Sequence, residues 1–244
     1  MKILSNQRKG FLNKRQIGQY LIYASGEIIL VIIGILLGLS LNKWNEGRIQ
    51  LDTLENDLTV ILEDLRKDTL EVRRIIDYHL DVEEKMKLII KGELEKDSLL
   101  ACPACLSALI SLQPFYMEKQ GYQLLQKYEE NTVLKEDSLV TNIIQFYGNT
   151  LEKQKLNLDL LTSNLERNLI EWQENYPWFT EVLGKGQFDH PEFVNYLLND
   201  PIYKNRMTYQ MILNYRNYVP FLQEFNKTAT KLMQEIKARL IRAD

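Results

Sequence analysis

YLIYASGEIILVIIGILLGLSL, from Tyr20 to Leu41, is the stretch that decides the fold, because its 22 residues contain a single charge, that of Glu27. In an α-helix, which rises about 1.5 Å per residue, the stretch would be about 33 Å long and would cross a hydrocarbon core of about 30 Å. Tyr20 and Tyr23 lie at one end and Trp44 follows the other, where aromatic side chains meet the membrane interface. The stretch predicts a transmembrane helix at residues 20–42.

The segment before this stretch is basic and contains no acidic residue. Its basic residues are Lys2, Arg8, Lys9, Lys14 and Arg15. Basic residues remain on the cytoplasmic side of a span, so residues 1–19 are predicted to be cytoplasmic and residues 43–244 to lie across the membrane. The alternatives are a cleaved secretory signal, with the cut near Leu39-Ser40-Leu41, and a buried helix of a soluble protein. An uncleaved signal-anchor is favoured, because the basic segment and the apolar stretch are both longer than such signals usually have.

The rest of the chain has the composition of a folded, mildly acidic helical domain. Hydrophobic residues make up 45% of the chain and charged residues 26%, which is enough for a packed core. Only 11 glycines and 6 prolines are present, few for a protein built of hairpins. Because the whole chain has a formal net charge of −3 and the N-terminal segment carries +5, the remainder carries −8. This balance argues against nucleic acid as a partner, which would require a basic surface.

One face of the predicted transmembrane helix carries both its acid and two small residues. At about 100° per residue, Gly34 and Gly38 each lie about 20° from Glu27. Small residues at this spacing let two helices approach closely, and an ionisable group in lipid is expected to face protein or water. We therefore predict a helix–helix contact, with a second copy or with a partner protein, that shelters Glu27. The alternative is that the Glu27 side chain extends to the cytoplasmic headgroups.

The same residues resemble a known family. Tyr20–Glu46 is similar to the N-terminal signature of a large family of single-pass membrane proteins of unknown function from bacteroidete bacteria, in which Tyr-Ala-x-Gly-Glu-Ile leads to Asn-x-Trp-Asn-Glu. The matching positions are Tyr23, Ala24, Gly26, Glu27, Ile28, Asn42, Trp44, Asn45 and Glu46. A weaker resemblance covers Tyr122–Tyr147, where the family pattern has a glycine in a turn and this chain has Glu130-Asn131-Thr132. The resemblance implies an inner-membrane anchor with a periplasmic domain, and it implies no activity.

Apolar residues after the predicted span recur in steps of three and four, which is typical of helices packed along one stripe. A joint is predicted at Gly47, and the longest stripe runs from Leu51 to Ile89, with Gly92 as its end. The other predicted helices are Ser98–Leu112 with Asp97 as N-cap, Pro114–Tyr128, Ser138–Asn175 with Asp137 as N-cap, Glu192–Leu198, and a last helix over Met207–Leu240 kinked at Pro220. With no alternating strand pattern, this predicts an all-α fold: one transmembrane helix followed by an elongated antiparallel helical bundle.

Some residues on these stripes are polar, and an aromatic group lies in and around the loop-like region between Pro177 and Pro201. Asp68 and Gln154 are predicted to set the register of their helices or to contact each other. His79 is predicted to be a core histidine with a hydrogen-bond partner. Core packing is the favoured role for an aromatic group that could instead line a ligand cleft or a partner surface. This group comprises Tyr176, Trp178, Phe179, Phe188, Phe193 and Tyr196.

The two cysteines form a Cys102-Pro103-Ala104-Cys105 motif. A structural disulfide or two unreactive thiols is the favoured interpretation, and a redox-active pair at a helix N-terminus or a metal site are the alternatives. Redox proteins with this motif place it after a strand, and none is predicted here. A zinc site would need two further ligands, and the only histidines, His79 and His190, are far apart in sequence. No cofactor and no metal are predicted.

No recognised catalytic motif is present: glycine-rich phosphate loops, Gly-x-Ser-x-Gly and His-Glu-x-x-His are all absent. The sequence therefore favours a non-enzymatic, membrane-anchored interaction or sensing protein, with the lipid bilayer and a protein partner or a second copy as its contacts. Two alternatives remain. One is a subunit of an ion- or proton-coupled complex that uses Glu27, and the other is a thiol-redox protein that uses Cys102 and Cys105.

Overall fold

The computed structural model describes residues 14–127 and 137–243, which are mostly helical with no strand among them. The helices are α1 Lys14–Lys91, α2 Lys96–Leu100, α3 Pro103–Leu106, α4 Gln120–Gln126, α5 Ser138–Asn175, α6 Pro191–Asn199, α7 Pro201–Ile212 and α8 Val219–Ala243, with π-helical segments at Thr180–Gly184 and Leu213–Tyr218. The predicted all-α fold is confirmed. The chain divides into two compact units, Met1–Leu54 and Glu55–Asp244. Residues 1–13 of the predicted cytoplasmic segment, and the turn at Glu130-Asn131-Thr132, lie outside the described residues.

The described part of the first unit is the N-terminal portion of α1. Its large apolar side chains from Ile28 to Leu41 are between 49% and 73% exposed, and none of its most apolar window is buried. This is the one described helix that is long and apolar enough to cross a membrane, by length and composition, a test that a signal sequence also passes. The predicted joint at Gly47 is wrong, because α1 continues through it. Glu46, Arg48 and Gln50 beside this glycine are good helix formers, and a single glycine destabilises a helix by only about 1 kcal/mol.

In the second unit, α1 buries a stripe of side chains in steps of three and four, as predicted. The buried residues include Leu58, Ile61, Leu65, Val72, Ile75, Val82, Met86 and Ile89. The helix ends at Gly92, whose φ of 74° is a left-handed conformation that glycine adopts without strain. The Gly92 N–H donates to Ile89 O and the Glu93 N–H donates to Leu88 O, which is a Schellman cap. The predicted end of this helix is confirmed.

The region after Gly92 differs from the prediction. In place of one helix over Ser98–Leu112, α2 ends at Leu100 and α3 begins at Pro103, since proline fits only the first turn of a helix. The predicted helix Pro114–Tyr128 is present only as α4, because residues 111–119 are non-helical. Pro114 disfavours helical backbone at the residue before it. We call residues 109–121 the strap.

Helix α5 begins and ends as predicted. The Asp137 carboxylate accepts from Leu139 N at 3.0 Å and from Val140 N at 3.3 Å, and the helix stops at Asn175, before Tyr176-Pro177. Its buried stripe, however, shifts along the helix. Asn164 and Asn168 are buried, whereas Leu165 and Leu169, which the apolar spacing placed in the core, are half-buried.

The last predicted helix is divided in two. The π-helical segment Leu213–Tyr218 separates α7 from α8 and ends two residues before Pro220. Proline has no N–H for the carbonyl four residues earlier and its ring crowds that carbonyl, so the helix widens to a π turn there. The irregularity that the sequence predicted at Pro220 takes this form. α6 covers the predicted Glu192–Leu198 helix.

Contacts between the long helices of the second unit give their directions. Along α5 and the C-terminal helices, Asp137 pairs with Arg239, Lys153 with Glu224, and Asn164 with Gln210. Along α1, Arg73 bonds to Asn226 and the carbonyl of His79 accepts from Tyr215. Residue numbers rise on one side as they fall on the other in both series. Helices α1 and α5 are therefore parallel to each other, and both are antiparallel to α7 and α8.

Candidate functional site

The first candidate site is the face of α1 that carries Glu27, Gly34 and Gly38. All three lie in one uninterrupted helix, so the predicted common face is present. Glu27 is exposed. A Cβ atom added to Gly34 or Gly38 would meet no heavy atom within 4 Å. Among the described residues nothing packs on this face, which leaves it available to a helix of another chain.

A second helix on this face could approach closely at the two glycines, where no side chain separates the backbones. The Glu27 carboxyl would then lie against protein instead of hydrocarbon, which is where intramembrane acids are found. The arrangement therefore supports helix association.

The two cysteines are joined by a disulfide, as the favoured interpretation predicts. Cys102 is 3% exposed and Cys105 is fully buried, within a core that also contains Leu99, Leu106 and Val182. The sulfur of Cys102 accepts from Cys105 N at 3.2 Å and so caps α3. Because redox-active pairs have an accessible sulfur, this burial supports a structural role. In the described ranges, no group of three or more His, Cys, Asp or Glu side chains is placed to hold a metal ion.

The predicted aromatic group lies in the same core. Trp178, Phe193 and Tyr196 are buried and pack edge-on against Trp172, with ring centroids 5.4–6.0 Å away. The Trp172 indole N–H donates to the Tyr196 hydroxyl at 3.1 Å. Core packing is therefore confirmed for these three residues.

Asp68 and Gln154 both bind the strap. Asp68 accepts from Glu118 N at 3.1 and 3.3 Å, and Gln154 accepts from Met117 N at 3.3 Å. Asp64 accepts from Gly121 N at 2.8 Å. Burial raises the pKa of Asp68 to about 7, and the nearby carboxylates of Glu118 and Asp64 act in the same direction, against the Glu118 N–H bond. The two polar positions thus set the register of the strap between their helices.

His79 is in the core, as predicted, but the predicted hydrogen-bond partner is wrong. Neither ring nitrogen of His79 has a partner among the described residues, and the side chain is 5% exposed. The ring packs edge-on against Tyr78, Tyr215 and Tyr218. Burial without a partner lowers the pKa of His79 to about 4, so the ring is neutral at neutral pH.

A buried amide network was missed by the sequence analysis. Asn164 donates to Gln210 at 2.6 Å, Gln210 donates to Asn214 at 3.4 Å, and Asn168 donates to Leu109 O at 3.0 Å. All four amide side chains are at most 4% exposed. Leucines adjoin Asn164 and Asn168 in the sequence, so apolar spacing favoured the leucines as the buried stripe. The repeat of Asn at positions 164 and 168, four residues apart, was the available signal.

No protein-family model, curated protein or solved structure matches the chain. The family resemblance over Tyr20–Glu46 therefore stays a prediction.

Proposed function

We propose that the chain is a non-enzymatic interaction protein anchored in the inner membrane, with residues 1–19 cytoplasmic, residues 20–42 in the bilayer and residues 43–244 in the periplasm. The observation that carries the proposal is the exposed apolar surface of α1 from Ile28 to Leu41. Burying apolar surface stabilises by about 25 cal/mol per Å², so a surface this apolar is expected to be covered by lipid or by another apolar helix.

The Cys102–Cys105 disulfide supports the periplasmic assignment. Disulfides persist in oxidising compartments such as the bacterial periplasm and are rare in the cytosol. The basic residues before Tyr20 support the same orientation, because they favour a cytoplasmic N-terminus.

The interaction role is supported by the surroundings of Gly34 and Gly38 in α1. A glycine inside a helix destabilises it by about 1 kcal/mol relative to alanine. No contact among the described residues explains why positions 34 and 38 are glycine, because an added Cβ would meet nothing there. A helix of a second chain packed closely on this face would require residues without a Cβ at these positions. The titratable groups Asp68 and His79, whose pKa values are displaced, lie in the packed interior, which supports a structural role for them.

Topology is tested with the full-length chain carrying alkaline phosphatase after Asp244, an enzyme that becomes active only where its disulfides form. We expect phosphatase activity, recovery of the chain in the membrane pellet after carbonate extraction, and an intact mass that includes the basic segment. A soluble chain, a chain cut near Leu41 or an inactive reporter would overturn the membrane anchor or its orientation.

The helix contact is tested by chemical crosslinking of the full-length protein in a mild nonionic detergent. Gly34→Leu and Gly38→Leu are expected to remove the crosslinked species, since each places a bulky side chain on the contact face. Gly26→Leu is the matched control: a Cβ at Gly26 also meets nothing within 4 Å, but Gly26 lies about 100° away from Glu27 around the helix. If all three variants crosslink as efficiently as the parent, this face is not the contact.

A second candidate function, a subunit of an ion- or proton-coupled complex, is favoured only by Glu27 being the single charge of the apolar stretch. Glu27→Asp keeps a titrating carboxyl and Glu27→Gln removes it. Loss of proton-coupled activity in Glu27→Gln alone would support this function, whereas equal crosslinking defects in both variants would support packing.

A further inference from the structure

A polar groove lies between α5 and α7 in the second unit. It encloses about 340 Å³, near the lower end of the range for ligand-binding pockets. Asn164, Arg167 and Asn168 line it from α5, and Ile202, Asn205, Arg206 and Tyr209 line it from α7. Neither cysteine nor the face of Glu27 belongs to it.

Two guanidinium groups line this groove, and buried amides hold both of them. Arg167 Nη2 donates to Asn164 Oδ1 at 2.8 Å, and Arg206 Nη1 donates to Asn168 Oδ1 at 2.9 Å. Arg206 also pairs with Glu171 at 3.2 Å. Buried amides destabilise a core unless they are hydrogen-bonded, and the Oδ1 atoms of Asn164 and Asn168 are satisfied by these two arginines. The two amides thereby hold both arginines at the same groove.

The groove retains positive charge in a domain that is otherwise acidic. Glu171 neutralises part of the charge of Arg206, whereas no carboxylate pairs with Arg167 among the described residues. The Arg167 guanidinium lies 5.4 Å from the centre of the Tyr209 ring, which holds its plane in place. An arginine fixed in this way loses little entropy when it binds a carboxylate through two N–H groups.

Exposed apolar side chains lie beside these charges. Ile202 is 50% exposed and Tyr209 is 41% exposed, and both line the groove. Arginine and tyrosine are among the residues that most often dominate binding at protein interfaces.

We infer that the groove between α5 and α7 docks an acidic polypeptide segment of a partner protein, whose carboxylates bind Arg167 and Arg206 and whose apolar side chains cover Ile202 and Tyr209. The inference rests on the proposed role as an interaction protein and names the surface and the kind of partner. Charge complementarity selects the occupant: a basic or neutral segment would leave Arg167 unpaired, and a purely apolar one would desolvate both guanidiniums.

The probe is a fluorescein-labelled peptide of alternating Glu and Leu, and the matched probe has Gln in place of Glu. Both are titrated with the full-length protein in a nonionic detergent and followed by fluorescence anisotropy. We expect the Glu peptide to bind at least about tenfold more tightly than the Gln peptide, and its binding to weaken as salt is added. Equal binding of the two peptides would overturn the inference.

Arg167→Gln is expected to weaken binding of the Glu peptide about tenfold or more, and Arg167→Lys to recover only part of the loss, because lysine keeps the charge without the planar fork. Arg66→Gln is the matched control, since Arg66 is also paired with its own helix but lies on an exposed surface of α1. Urea unfolding of each variant separates loss of binding from loss of fold. Unchanged binding by Arg167→Gln would contradict the inference.

Inorganic phosphate is the competitor that separates a peptide site from a general anion site. Displacement of the Glu peptide only by unlabelled Glu peptide supports the inference, and displacement by phosphate at equal concentration overturns it. The assay does not depend on membrane insertion. Failure of the groove therefore leaves the proposed anchor standing, and failure of the anchor leaves the peptide result unchanged.

Discussion

Gly121 in the second unit and Gly34 and Gly38 in the first have opposite surroundings. In the second unit, a Cβ on Gly121 would overlap the side chain of Ile61 and lie 2.8 Å from its Cα and N atoms, so the close approach of α4 to α1 requires a glycine. In the first unit, a Cβ on Gly34 or Gly38 would meet nothing within 4 Å. The fold of one chain explains the first glycine and leaves the other two unexplained, which is the reason to look for a second helix there.

Apolar side chains show the same contrast. Along α1 in the second unit they form one stripe, and Ile61, Leu65 and Val72 are fully buried. Between Ile28 and Leu41 they occupy all sides of the helix, and the large ones remain exposed. A stripe is typical of a helix packed on a protein core, and a helix that is apolar all round is typical of a membrane span. The comparison predicts that substitutions in the two units affect different measurements.

The largest effect is expected for Gly121→Leu. The new side chain would occupy space filled by the backbone of Ile61, and the Gly121 N–H would lose its bond to Asp64. We expect the free energy of unfolding to fall by more than about 4 kcal/mol, measured by urea unfolding of the full-length chain in detergent.

Gly148→Ala is the control for that prediction. Gly148 lies inside α5, and a Cβ there meets nothing within 4 Å. The variant is expected to be as stable as the parent or about 0.5–1 kcal/mol more stable. A mild effect for Gly121→Leu would show that the contact between α4 and α1 adjusts easily, and the contrast between the units would lose its strongest example.

The next largest effect concerns Asp68 and pH. Its pKa is raised from 3.8 to about 7, so its contribution to stability is complete below pH 3.8 and is lost as pH rises through 7. The loss is about 4 kcal/mol, because each pKa unit corresponds to about 1.4 kcal/mol. Asp68→Asn keeps an acceptor for Glu118 N and has no proton to lose. Its stability relative to the parent should therefore rise by this amount between pH 4 and pH 7, measured by urea unfolding.

His79 is expected to act in the opposite direction over an overlapping range. Its pKa is lowered from 6.5 to about 4, so its contribution is complete above pH 6.5 and is lost as pH falls toward 4. The loss is about 3 kcal/mol. His79→Phe should remove this dependence, so that stability relative to the parent rises as pH falls. If the stability of both variants relative to the parent changes with pH in the same direction, the burial described for Asp68 or for His79 is incorrect.

A smaller effect is expected for Tyr218→Phe. The Tyr218 hydroxyl accepts from Phe115 N at 2.8 Å and donates to Gln113 O at 2.8 Å, so its removal leaves two polar groups of the strap unpaired. We expect a loss of about 2 kcal/mol in the free energy of unfolding. Tyr209→Phe, at an exposed tyrosine of α7, should change it by less than about 0.5 kcal/mol. Equal changes in the free energy of unfolding for Tyr218→Phe and Tyr209→Phe would mean that the Tyr218 hydroxyl does not hold the strap.

These expectations show where sequence reasoning succeeds. Helix periodicity and capping residues are local signals, and they predicted the end of α1 at Gly92, both ends of α5 and the helical fold. The strap could not be predicted from local signals. Its residues 111–119 are non-helical, and Tyr218, Gln154 and Asp68, all distant in sequence, bind its backbone groups.

The buried stripe of α5 was misplaced for a related reason. Apolar spacing put Leu165 and Leu169 in the core, and the structure buries Asn164 and Asn168, whose amides find partners in Gln210 and Leu109 O. The cost of burying an amide depends on partners that only the folded chain supplies. The groove between α5 and α7 was missed with them, because its arginines are held by these amides.

The smallest effect on stability is expected for Gly34→Leu and Gly38→Leu. Since a Cβ at either position would meet no heavy atom within 4 Å, urea unfolding of the second unit should change by less than about 0.5 kcal/mol. The tryptophans Trp172 and Trp178 in the core of that unit report this transition. The same variants are expected to lose crosslinking in detergent. Substitutions in the first unit would then change crosslinking only, and those in the second unit would change the free energy of unfolding only. If either variant lowered the unfolding free energy of the second unit as Gly121→Leu does, the glycine face would be part of the fold of the single chain, and no second helix would be needed to explain it.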